Sequence, residues 1–353
     1  GLLGITMLVT MILFRNYRSM HKLPLYGIDW LGGLMWGLTL LCIIFICVYG
    51  EHYDWYQSWQ IRIATIFCVI ILLLNIWRAS FIRHPFISLK TWSYKIVYMT
   101  FLLYIVINIL LAPSHLLEHI YMNSILKYDS LNIISLNWIV LLGTISESIF
   151  CYLTFARKKW KYKTMSVIAF VAITGYLIYF YFTIDYNLPK ETLLIPIFLR
   201  SFAYVIIAII FLTSLSKVPF QYFFQAISIQ GFVSASLGGA LGSAILGHFL
   251  NFTMKKNIML LSMTLDHVNT SIYKIPFTEL CGILQQQALM VSLKELYGWL
   301  SLISLCCLLL FMIKESSIRP KYVLHPKYRS IRRFIKHELR LSKKLKSTEK
   351  GIL

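Results

Sequence analysis

Nine apolar segments separated by polar connections limit this chain to very few folds. They span residues 1–14, 31–50, 61–77, 96–111, 133–155, 164–182, 194–215, 221–250 and 296–313. A helix crosses the hydrocarbon core of a bilayer with about 20 apolar residues. No water is available there for unpaired backbone N–H and C=O groups, so such segments form helices, which pair these groups internally. The expectation is an all-α polytopic membrane protein with nine transmembrane helices. Composition points the same way, because only 14% of the 353 residues are charged, against about a quarter in soluble domains.

The net charge of +20 would suggest nucleic acid in a soluble protein, but its distribution gives it another meaning. Of the 34 Lys and Arg, 26 fall in connections 15–30, 78–95, 156–163 and 216–220 and in the tail 314–353. Six fall in the alternate connections 51–60, 112–132, 183–193 and 251–295, and Arg62 and Arg200 lie inside segments. Positive residues mark the cytoplasmic side. The C-terminus is therefore expected inside, in a cell (inner) membrane, with no nucleic-acid partner. In the tail, Ile331, Phe334, Ile335, Leu341 and Leu345 fall near helical spacing. They fit either an amphipathic helix on the anionic inner leaflet of the bilayer or a solvated tail. The opening Gly1-Leu2-Leu3-Gly4 is already apolar and has no basic leader. It reads as the middle of a membrane helix, so the chain is expected to be a piece of a longer protein.

Glycine is concentrated in one stretch, Gly231 to Gly247. Gly231, Ala235, Gly239, Ser243 and Gly247 recur every four residues and form a ridge of small side chains. Gly238 and Gly242 form a second ridge beside it. In lipid, small residues let helix backbones approach closely, so these glycines are candidates for tight or sliding helix contacts, static packing being the commoner use.

Ionisable groups at membrane depth are costly and usually face a cavity or a partner. Glu147 is the one acidic residue well inside an apolar segment, and it is the candidate proton carrier; a structural hydrogen bond is the alternative. Arg200 lies in the outer part of its segment, about 12 Å in depth from Glu147 at 1.5 Å per residue, too far for a direct bond. It is expected to bind a helix terminus or to snorkel outward, as Arg62 does, and His248 is expected at an interface. Asn108, Gln225, Gln230, Tyr176, Tyr179 and Tyr204, with Arg200, are candidates to line a polar-aromatic cavity. No nucleophile–base set, carboxylate pair or phosphate loop appears, and the seven cysteines have no metal-ligand spacing. No enzyme activity, metal or cofactor is expected.

Several ordered motifs resemble the fourteen-helix drug:proton antiporters (EmrB/QacA type) of the major facilitator superfamily. Ile28-Asp29-Trp30-Leu31-Gly32 is similar to the opening of that family's seventh helix, and Gly50 with Trp55 or Trp59 to the turn after it. Arg83-His84-Pro85-Phe86-Ile87-Ser88-Leu89 resembles the approach to its ninth helix, and Ala156 to Lys161 the basic turn between its tenth and eleventh. Leu194 to Arg200, Val218-Pro219 and Leu237 to Ala244 resemble its twelfth and thirteenth helices. Gln285-Gln286-Gln287-Ala288 with Tyr297 resembles the approach to its last helix. Where the family usually has glycines after the twelfth-helix arginine, this chain has Ser201, Phe202 and Ala203.

The resemblance implies helices 6–14 of a fourteen-helix parent. Residues 1–14 would end the N-terminal bundle, 15–30 form a cytoplasmic loop, 31–77 a two-helix linker, and 96–313 a six-helix C-terminal bundle with an outside loop at 251–295. It implies proton-coupled efflux of small amphipathic compounds by alternating access, and an outside loop able to dock a periplasmic adaptor protein. The competing reading is a non-transporting or lipid-handling membrane scaffold that keeps the fold.

Overall fold

A computed structural model describes residues 29–82, 84–114, 116–263 and 276–313. The expected helix at 1–14, most of the connection 15–30 and the tail 314–353 lie outside the described residues. Within them the chain is helical and contains no strand. Seven helices are long and apolar enough to cross a membrane, and the protein is a multi-pass helical membrane protein.

The first two helices, α1 (Trp30–Tyr49) and α2 (Trp59–Phe81), form a hairpin. A single turn at Leu89–Trp92 leads into α3 (Lys95–Leu111). Then follow α4 (Ser130–Cys151), α5 (Tyr162–Thr183), α6 (Leu194–Leu215), α7 (Phe220–Phe232), α8 (Gly238–Met263) and α9 (Phe277–Ile313). In the bundle α5 packs on α6 and α9, α4 on α6, and α8 on α3, α9 and α1.

The expected span at 221–250 is helical but divided. A π-helical turn at Val233–Leu237 separates α7 from α8, and neither is among the seven spans. With 13 residues α7 is short, while α8 carries His248, Asn251, Lys255, Lys256 and Asn257. The segment expected to end at 111 instead continues. Pro113 has no N–H and its ring crowds the carbonyl four residues back, so the helix tightens at Ala112–Ser114. It then resumes through Leu117–Ile120 and a π-helical turn at Tyr121–Ile125. Leu117, Tyr121 and Ile125 repeat every four residues and are all buried, which holds this stretch in the bundle rather than in a loop.

The long segment 251–295 continues its flanking helices wherever it is described. At 37 residues, α9 is about 55 Å long, well beyond a hydrocarbon core of about 30 Å. Its projecting part pairs with α8 through a buried Asn257–Ser292 hydrogen bond of 2.9 Å and a Lys256–Glu295 ion pair of 3.1 Å.

Two carboxylates fasten the α1–α2 hairpin. Asp29 caps α1 by accepting from the Gly32 N–H (3.0 Å), and it also accepts from Arg78 Nη2 (2.7 Å) and the Phe86 N–H (3.2 Å). Partial burial pushes Asp29 up, but the Arg78 hydrogen bond, the two backbone donors and the Arg78 charge together bring it below its ordinary value. At the other end of the hairpin, Glu51 meets His248 Nδ1 of α8 at 2.9 Å and accepts from Trp55 Nε1 (3.0 Å) and Asn251 (3.3 Å). The His248 and Trp55 hydrogen bonds hold Glu51 below its ordinary value of 4.5, against the opposing pull of burial.

A carboxylate held low stabilises its latch fully above the ordinary value and loses that contribution as pH falls through the lower, folded one. Protection of the amides at residues 50–58, after correction for the intrinsic exchange rate, is therefore expected to hold above the ordinary carboxylate value of 4.5 and to be lost as pH falls below it. Glu51→Gln should remove that pH step, and an unchanged step would show that the latch does not depend on this carboxylate.

Candidate functional site

A cavity of ≈540 Å³ opens between α3, α4, α6 and the π-helical turn before α8. Its polar wall is formed by Asn108, Ser114, Asn137, Thr144, Arg200 and Tyr204. Three of the seven cavity candidates, Asn108, Arg200 and Tyr204, thus come together. The other four lie elsewhere. The Gln225 carbonyl accepts from the Ser88 N–H (3.0 Å) and from Thr91 Oγ1 (2.6 Å), and its amide donates to the Pro85 carbonyl (3.2 Å). It ties α7 to the turn before α3. Gln230 lines a separate small recess with Val97, Thr100 and Tyr104. Tyr176 is buried behind the cavity wall, and Tyr179 is not part of that wall.

Arg200 is the charged group of the wall, and its partner is one the sequence reading placed in an outside loop. Arg200 Nη1 lies 3.1 Å from Glu118 Oε2 and donates to the Ser114 carbonyl at 3.3 Å. Glu118 is 2% exposed, and its second oxygen accepts from the Tyr176 hydroxyl of α5. Tyr297 of α9 stacks on Phe180 at 5.1 Å and meets Tyr176 edge-on at 6.4 Å. Its hydroxyl is buried beside that of Tyr176. Three helices and the broken end of α3 therefore converge on one Glu–Arg–Tyr cluster. Part of the Arg200 expectation corresponds to its bond to the Ser114 carbonyl at the helix break; the ion pair with Glu118 was not foreseen. The signal for Glu118 was the spacing of Leu117, Tyr121 and Ile125, obscured by Pro113.

Glu147 is fully buried and does not line the cavity. Its carboxylate accepts from the backbone N–H groups of Val205 (3.1 Å) and Ile206 on α6. One turn earlier, Gly143 allows this approach, because a Cβ there would lie 2.7 Å from Ser201 Cβ. The small-residue contact of α6 is thus supplied by α4, opposite Ser201.

The glycine ridges divide in the same way. A Cβ at Gly242 would lie 2.7 Å from Ala112 Cβ and 3.1 Å from the Asn108 carbonyl, and one at Gly238 would strike the Asn108 side chain at 2.5 Å. The second ridge is therefore the α3 contact. Among the described residues Gly231 and Gly239 have nothing within 4 Å, and Gly247 makes ordinary contact with Leu116 at 3.9 Å. Gly242→Ala is expected to cost about 1–3 kcal/mol through overpacking, whereas Gly239→Ala should be neutral or stabilising. Thermal unfolding of the two variants side by side tests this, and equal midpoints would remove the close α3–α8 contact from the account.

Among the described residues no group of three or more His, Cys, Asp or Glu is arranged to hold a metal ion. No protein-family model matches the chain, and no curated protein matches it.

Proposed function

We propose that this chain is part of a proton-coupled transporter that expels small amphipathic compounds across a cell inner membrane by alternating access. The supporting observation is the Glu118–Arg200–Tyr176 cluster placed directly behind the polar wall of a ≈540 Å³ cavity. A buried ion pair is weak support for stability, since desolvation offsets its attraction. Beside a cavity it can serve as a switch.

In this reading α1–α2 is the inserted linker, α3–α9 form a major facilitator C-terminal bundle, and the Lys/Arg bias places the tail in the cytoplasm. Glu118, rather than Glu147, carries the proton in this part of the protein. Protonation removes the charge that holds Arg200, and an unpaired buried arginine is costly, which favours the alternative arrangement of the cavity wall. Binding to an outside adaptor belongs to the same reading and rests on the projecting α8–α9 pair.

The test is substrate-dependent proton movement in proteoliposomes with an imposed pH gradient. Glu118→Gln, which keeps an acceptor for Tyr176, is expected to bind an amphipathic dye yet no longer couple it to the gradient. Unchanged coupling would remove Glu118 from the mechanism, and the absence of gradient-driven transport in the unaltered protein would favour the scaffold reading.

A further inference from the structure

A second void, at the hairpin edge of the bundle, has a chemistry unlike the first. Its outer part, ≈290 Å³, is lined by Trp36, Leu72, Asn75, Ala79, Ile87 and Trp92. Its inner part, ≈240 Å³, shares Trp36, Leu72, Ile87 and Trp92 and continues to Phe101 and Phe232. The two parts form one apolar crevice between the α1–α2 hairpin and the edge formed by α3 and α7.

Asn75 stands out in this largely apolar lining, which also includes Thr39: it is 3% exposed, and among the described residues its amide nitrogen is buried without a hydrogen-bond partner. A buried unsatisfied donor costs about 1–3 kcal/mol, so an acceptor is needed there. A water on Asn75 would fill only about 30 Å³ of the crevice, whose lining is otherwise largely apolar. What fits is a molecule with one carbonyl and a long apolar body.

We infer that this crevice binds a phospholipid, one acyl chain lying between Trp36, Leu72, Ile87 and Trp92, and its ester carbonyl accepting from the Asn75 amide. Depth agrees with this occupant. Asn75 lies six residues from the Phe81 end of α2, about 9 Å along the helix, close to the depth of the interfacial layer, roughly 5–8 Å on each side of the core. Lys90, exposed on the turn whose Leu89 lines the crevice, stands where a headgroup phosphate emerges. The lipid fills the gap beside the hairpin that Asp29 and Glu51 fasten at its two ends. This site is separate from the Arg200 cavity and does not depend on the transport proposal.

The experiment is photocrosslinking of the full protein in vesicles doped with phosphatidylglycerol carrying a diazirine in one acyl chain, with the adducts mapped by mass spectrometry. Adducts are expected on Trp36, Trp92 and the Leu72–Ala79 stretch. Asn75→Leu should lower them about tenfold, the share of a hydrogen bond of about 1.4 kcal/mol, with an unfolding midpoint no lower than that of the unaltered protein. Ala79→Trp, which blocks the mouth, should abolish them and covers the case in which Asn75→Leu does not fold. Unaltered protein that labels only on its outer faces would overturn the site, as it would if another protein segment filled the crevice. Equal labelling of Asn75→Leu would overturn the role of the amide.

Discussion

Arg200→Gln lowers the stability of the bundle by about 3–5 kcal/mol, the expected cost of leaving a buried carboxylate without its counter-charge. Glu118 is almost fully buried against Arg200 of α6 and Tyr176 of α5, so Arg200→Gln leaves its charge without a counter-charge inside the bundle. Adding Glu118→Gln to Arg200→Gln should recover most of the loss, because the neutral amide keeps an acceptor for the Tyr176 hydroxyl and no charge remains to compensate. Unfolding midpoints in detergent for the two single variants and the double variant give the coupling directly. A double variant as unstable as Arg200→Gln alone would mean that the arginine acts through packing and not through Glu118. The same cycle bears on function, since a cluster that served stability alone would tolerate a neutral pair without loss of coupling, whereas a switch would not.

The helices were legible because lipid enforces them. Apolar length predicted seven of the spans, and Lys and Arg between them gave a consistent alternation that composition alone would have hidden. What escaped is where two local rules compete. Pro113 marks a helix end in water, yet Leu117, Tyr121 and Ile125 return the chain to the core, so Glu118 read as a loop residue although it lies at the centre of the bundle. Pairing across helices was also beyond reach. Arg200 and Glu118 are separated by 82 positions, and periodicity gives each helix a face without saying which faces meet. The glycines show the same limit. Their four-residue repeat was plain, but Gly238 and Gly242 are the ones that touch α3 closely, while Gly231 and Gly239 of the longer ridge have nothing within 4 Å among the described residues.

Glu147 gives the sharpest contrast with Glu118, and Glu147→Ala should cost about 2–4 kcal/mol. Two effects add. The side chain is fully buried, so truncation leaves a cavity that tightly packed helices fill only in part. The amides of Val205 and Ile206 also lose the carboxylate as a second acceptor, while keeping the carbonyls of the preceding turn of α6. Glu147→Gln should cost much less, about 1 kcal/mol or under, because its carbonyl oxygen still accepts while its NH₂ must find room beside α6. Unfolding in detergent separates these two outcomes. Transport in the Gln variant then decides between the two carboxylates. If Glu147 fastens α4 to α6, Glu147→Gln moves substrate with an undiminished dependence on the proton gradient, whereas Glu118→Gln does not. The reverse pattern would make Glu147 the carrier and the Glu118–Arg200 pair a fixed brace.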